Sequence, residues 1–136
     1  MCDIIGKTRK RTGYKVLALK NDKYYSTFTG QEIKVGKVPM PPVRCNRISD
    51  NWSKSLDTTP LNECSFYNKS FVGKTAAFLS LIDAKEKCTY IAVTVFRDFQ
   101  IIIVKIVFSG IVYSGIYDAP IIAGNTIKSM KLIKSN

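Results

Sequence analysis

The sequence predicts an α+β fold, mainly an antiparallel β-sheet with one or two short helices. Three observations carry that reading. Strand-length runs rich in Tyr, Val, Ile and Thr are separated by short turn signals, one segment has a capped helical period, and strand never alternates with helix as parallel βαβ units require. With 136 residues, a hydrophobic fraction of 46% and seven Tyr, seven Phe and one Trp, the chain is able to bury one core.

Residues 1–12 read as a basic N-terminal arm carrying Lys7, Arg9, Lys10 and Arg11, and residues 13–136 as a single α+β domain. In "GYKVLAL" (13–19), Tyr14, Val16 and Ala18 alternate with Lys15, Leu17 and Leu19, the period of a strand. "KNDK" (20–23) is turn chemistry, because Asn and Asp tolerate left-handed backbone. "YYSTFT" (24–29) and "EIKV" (32–35) then complete a three-stranded meander. From 36 to 64 the chain holds four of its five prolines and little periodicity, the pattern of a long loop. Arg44 and Arg47 in that loop are candidate ligand contacts, and Trp52 reads as a cap over the core.

Ser80 as N-cap, Asp83 in the first turn, and Leu81, Ala84 and Cys88 on one face predict a short helix over 80–88. "TYIAVTVF" (89–96), a turn at Arg97-Asp98 and "FQIIIVKIVF" (99–108) are expected to form a hairpin. The second of these runs is apolar on both faces, which predicts a central strand or one covered on both sides. Ser109-Gly110 leads into a further strand, "IVYSGIY" (111–117), and the final stretch from 121 fits either period.

Gly73-Lys74-Thr75 has the ending of a phosphate-binding loop, yet position 68 is Asn where that motif needs Gly. The preceding "NECSFY" is not a buried strand, and no parallel unit supplies a magnesium-binding Asp. The triplet therefore reads as an ordinary loop before a helix, with Lys74 kept as a contact for a ligand phosphate. There is no histidine, and Asp83 and Glu86 are the only close acidic pair on a predicted helix. Cys2, Cys45, Cys64 and Cys88 lie too far apart for a zinc site of usual spacing. These features predict a non-enzyme with no metal and no cofactor.

Lys and Arg outnumber Asp and Glu by 21 to 10, for a net charge of +11, and residues 1–50 hold 11 of the basic groups against four acids. Such a balance favours anionic partners, with a purely solubilising surface as the competing reading. Basic and aromatic residues interleave in the meander. Tyr14, Lys23, Tyr25, Lys34 and Lys37, with Arg44, Arg47 and Lys74, form the expected site for a small anionic ligand such as a nucleotide. The alternatives are nucleic acid held by Lys7, Arg9, Lys10 and Arg11, and a protein-protein inhibitor. The longest apolar run is about half the length of a membrane helix and contains Gln100 and Lys105, so no membrane is expected as a partner. No apolar signal segment follows Met1, which predicts a cytoplasmic location and reduced thiols. The "IIIV" strand (101–104), if at a sheet edge, would pair two copies into a homo-oligomer.

"MCDII" and "GYKVLALKNDKYYSTFTGQEIKVGK" (13–37) resemble a group of small uncharacterised proteins from bacteriophages, large DNA viruses and some bacteria. These typically open with Met-Cys and carry a "YKV…YYSPFTGFEYKVGK"-like block. The block departs from that pattern at Thr27, where Pro is usual, at Gln31, where an aromatic is usual, and at Ile33, where Tyr is usual. The Gly-Phe-His segment of the group is replaced by "TAAFLSLIDAKE" (75–86). The resemblance implies a viral or mobile-element setting, hence the host cytoplasm. It also implies an accessory role against host defence, for which a nucleotide immune signal is the fitting ligand.

Overall fold

The computed structural model describes residues 2–26, 32–38, 73–94 and 100–135. In chain order these form β1 (Cys2–Thr8), β2 (Thr12–Lys20), β3 (Lys23–Ser26), β4 (Glu32–Ile33), β5 (Gly36–Lys37), β6 (Thr75–Phe78), α1 (Leu81–Thr94), β7 (Gln100–Tyr117) and β8 (Pro120–Ser135). All the strand pairings are antiparallel, so the mainly antiparallel sheet with a short helix is what the chain forms.

The largest unit is the hairpin of β7 and β8, turned at Asp118-Ala119 with Asp118 in the left-handed region (φ 56°). Its register shifts three times, between Ile103 and Val104, Val107 and Phe108, and Ser109 and Val112. Each shift is a bulge that bends the ladder and increases its twist. At the third, Gly110 adopts φ 75°, which glycine accepts without strain. Thus Ser109-Gly110 is a bulge within one 18-residue strand, where the sequence suggested a break between two.

Coiling of this hairpin lets the sheet close on itself. β2 pairs along 100–107 of β7, β6 pairs along 121–124 of β8, and β2 meets β6 at Tyr14 and Phe78, completing the circuit β7–β8–β6–β2–β7. At the closure the strands run so close that a Cβ on Gly13 would lie 2.8 Å from the Ala77 Cβ and 3.0 Å from the Phe78 carbonyl oxygen. Lys15 reinforces it by donating its ammonium to the Ala76 carbonyl at 2.7 Å.

Inside the closed sheet Leu17, Ala77, Ile102, Val104, Ile106, Phe108, Val112, Ile122 and Ile127 form one apolar cluster. Phe108 lies against Gly124, where an added Cβ would sit 2.7 Å from the ring. The opposite face of β2 and β7 presents Val16, Ala18, Ile101 and Ile103, and the Ala84 and Cys88 side of α1 packs onto it. Within the 99–108 run, Ile101–Val104 are therefore covered on both faces, as the composition implied. For the same reason "IIIV" is not a free edge: its residues lie between β2 and β8 and are buried.

Two further expectations are corrected. First, α1 continues to Thr94, so 89–94 is helix and β7 pairs with β1, β2 and β8. The β-favouring Thr89, Ile91 and Val93 are overridden by a helix already nucleated at its Ser80 cap, where the Ile82 N–H bonds Ser80 Oγ at 3.2 Å. Thr89 fits that helix by donating its hydroxyl to the Lys85 carbonyl. Second, residues 2–8 are a sheet strand and not a solvated arm. They pair along 112–117 of β7, and the Ser114 hydroxyl bonds the Gly6 carbonyl. In the meander, Asn21 (φ 54°) and Asp22 (φ 62°) make the tight turn between β2 and β3, and β4 adds beyond β3.

Gly13→Ala is expected to destabilise the protein by about 1–3 kcal/mol, because Ala77 and the Phe78 backbone must move to admit the methyl. Gly6, around which no atom would meet a Cβ within 4 Å, is the matched control. Gly6→Ala should shift stability by less than about 0.5 kcal/mol in the same urea titration.

Candidate functional site

Directly paired residues in a sheet project to one side, and alternate residues along a strand share a face. Tyr113, Gly115 and Tyr117 of β7 therefore share a face, with Ala123 and Ile121 opposite Tyr113 and Gly115 on β8. Beyond them, Ala76 and Phe78 of β6 extend the two rows, and Ile4 and Lys7 of β1 border Gly115 and Tyr113 on the other side. This outer face lies beside α1.

Its floor is closed and apolar: Ile121 and Ala123 are buried and pack with Ile4, Ala76, Phe78 and Tyr117. What it presents at the top is two half-buried tyrosine rings, each beneath a lysine. The Lys74 ammonium sits 5.2 Å from the Tyr113 ring centroid, and the Lys87 ammonium of α1 sits 4.8 Å from that of Tyr117. Phe78 adds a third ring, tilted 52° to Tyr117 at 6.5 Å between centroids. Four residues along a strand span about 13 Å, which sets the separation of the two lysine-tyrosine pairs. Chemically the face offers ammonium donors for anions and ring edges for a planar group, held on β6, β7 and α1, with Lys74 in the turn just before β6.

Lys74 reaches this face because Gly73 (φ 72°) turns the chain into β6, so Lys74 points to the same side as Ala76 and Phe78. The Gly73-Lys74-Thr75 triplet is followed by a strand, whereas a phosphate-binding loop needs a helix N-terminus at that point. Lys7 joins the face as the strand partner of Tyr113 and is exposed.

The remaining expected residues are distributed elsewhere. Tyr14 and Tyr25 are half-buried against the cluster under α1. Lys23 is exposed at the β2–β3 turn opposite Lys20, Lys34 is exposed between β4 and β5, and Lys37 is exposed on β5 opposite Thr126. Arg9 and Lys10 are exposed in the link from β1 to β2. There the Arg11 guanidinium donates to the Gly110 carbonyl at 2.6 Å, fastening that link to the bulge of β7. Arg44 and Arg47 lie outside the described residues, as do Trp52 and the Arg97-Asp98 turn. Sequence reasoning overlooked Tyr113, Tyr117, Phe78 and Lys87. The available signal was "YSGIY", in which strand period places two rings on one face around a glycine.

Among the described residues no three His, Cys, Asp or Glu come together as a metal site requires. No described helix is long and apolar enough to cross a membrane. No protein-family model matches the chain, and neither a curated protein nor a solved structure matches it.

A double-mutant cycle of Lys74→Met and Tyr113→Leu should give a coupling energy of about 0.5–1 kcal/mol in favour of the native pair. Coupling indistinguishable from zero in equilibrium unfolding would remove the lysine-tyrosine contact as a structural element of this face.

Proposed function

We propose that the protein is a non-enzymatic binder of a small anionic ligand of the nucleotide class, taken up on the outer face of β6, β7 and β8 beside α1. The observation that supports this reading is the pair of lysines, each held over a tyrosine ring on a common face. An ammonium carries a full positive charge and three N–H donors, the chemistry that recognises a phosphate. The ring edges offer contacts to a planar base. Charge adds long-range attraction, since a net +11 raises the local concentration of anions. The resemblance of residues 13–37 to phage and viral proteins makes a nucleotide immune signal, sequestered to blunt host defence, the ligand to try first.

Specific binding stabilises the native state by mass action, so thermal shift against cyclic and ADP-ribose-type nucleotides identifies the ligand. With that ligand, Lys74→Met and Lys87→Met should each weaken affinity roughly tenfold to a hundredfold, the value of a hydrogen bond to a charged group. Lys34→Ala should leave it within about twofold, since Lys34 lies on the β4–β5 link. The reverse pattern would move the site to the meander, and an absence of any shift across the panel counts against the proposal.

A second reading, nucleic-acid binding, is favoured by one specific placement: Lys7 adjoins Tyr113 on the same face, and Arg9 and Lys10 continue the exposed basic path. Polyanion binding releases counterions, with a log-log salt slope near −0.7 per phosphate for single strands. The triple change Lys7→Ala, Arg9→Ala and Lys10→Ala should then lower the slope by about two units. Arg11 is kept, because its guanidinium secures the link. An unchanged slope, or no salt dependence, excludes this reading.

A further inference from the structure

Further along β7 from Tyr113, the outer face carries a second concentration of positive charge. Lys105 of β7 is paired directly with Lys131 of β8 on one side and with Tyr14 of β2 on the other, so the three side chains form one row across the sheet. The row points outward, because the adjacent Ile106 and Met130 pack with the interior cluster. Lys105 is half-buried and Lys131 is exposed. Like charges set directly opposite each other in a sheet are destabilising. Nothing local relieves this pair. β2, β7 and β8 contain no Asp or Glu, and among the described residues neither ammonium has an ion-pair or hydrogen-bond partner. Lys20 and Lys23, which also face each other, differ in closing a turn that holds Asp22.

We infer that Lys105 and Lys131 form a second anion site, which takes the phosphate group of a phosphorylated ligand. Residues directly opposite have Cβ atoms about 5 Å apart, so both ammonium groups reach one oxyanion placed between them. Such an ion turns a repulsive pair into two charge-assisted contacts. Thr12 and Ser129, both opposite Val107, are the next residues on the same face. They lie diagonal to Lys105, about 7–8 Å between Cβ atoms, and set hydroxyl donors at the rim of the site. Tyr14 closes the row on the side of α1. The phosphate has two sources of the same chemistry, the terminal group of a small molecule and the backbone of a nucleic-acid strand.

Thermal unfolding of the full chain in chloride and in inorganic phosphate, at matched ionic strength, tests the site, because binding to the native state raises the midpoint by mass action. Phosphate at roughly ten times its dissociation constant should raise the wild-type midpoint by about 3 °C. Lys105→Met and Lys131→Met, which keep the stem and remove the charge, should each lose at least half of that rise. In chloride the same variants should melt at or above the wild-type midpoint, since the repulsion is gone. Lys34→Met, on the β4–β5 link, should keep the whole rise. An oligothymidylate in place of phosphate separates the two sources. A rise from the strand that Lys131→Met removes assigns the site to phosphodiesters, and a rise from inorganic phosphate alone assigns it to a terminal phosphate. A rise that the double variant Lys74→Met with Lys87→Met removes and Lys131→Met leaves intact belongs to the tyrosine face and overturns the inference. So does the absence of a rise with either probe. A lowered midpoint of Lys131→Met in chloride overturns it equally, since the pair is then not a repulsive one.

Discussion

Closure of the sheet where β2 crosses β6 is the constraint on which the other features depend. The long β7–β8 hairpin can close only if it coils, and its three register shifts provide the coiling. Closure in turn requires two backbones to approach where a side chain would intervene, which is why Gly13 stands opposite Ala77 and Phe78. Once the circuit is complete, Leu17, Ile102, Val104, Ile106 and Phe108 have an interior. The outward faces of β2 and β7 are left apolar and need the helix. Burial of these side chains, each contributing about 1.5–3 kcal/mol, is available only in the closed arrangement.

The helix covers one part of the outer surface and leaves the next part to the tyrosines. Over Val16, Ala18, Ile101 and Ile103 the sheet is sealed by α1. Alongside, Ile121 and Ala123 pack with Ile4, Ala76, Phe78 and Tyr117, and lysine ammonium groups stand over the Tyr113 and Tyr117 rings. A face built in this way is held in place by the fold and still presents cations, which is the combination an anion site needs.

Local chemistry made a good share of the fold readable in the sequence. Asn21-Asp22 announced its turn because few residues accept two consecutive left-handed conformations. Ser80 announced the helix start because a hydroxyl there satisfies an otherwise orphaned N–H. The doubly apolar 99–108 run announced a strand covered on both faces. The failures share a cause in long-range pairing. Nothing within residues 89–94 says that a helix continues through β-favouring residues. Nothing within 2–8 says that this short segment finds 112–117 of β7. The lysine-tyrosine pairs of the outer face were hidden for the same reason, since Lys74 and Tyr113 meet only after β6 has paired with β8.

The same separation in sequence governs how quickly the structure can form. The β7–β8 hairpin is local and can zip from its Asp118-Ala119 turn, and the β2–β3 hairpin can do the same from Asn21-Asp22. The contacts that finish the molecule are remote. The Lys15 bond to Ala76 spans 61 residues, the Arg11 clasp on Gly110 spans 99, and the Ser114 bond to Gly6 spans 108. Chain entropy must be lost before such contacts repay it, and folding rates fall as mean contact separation rises. By that relation the return of β1 and β2 to β7, the most remote pairings in the sheet, places this topology among the slower ones to fold. Until β2 arrives, the Ile101–Val104 run of the local β7–β8 hairpin lacks its neighbour on one side.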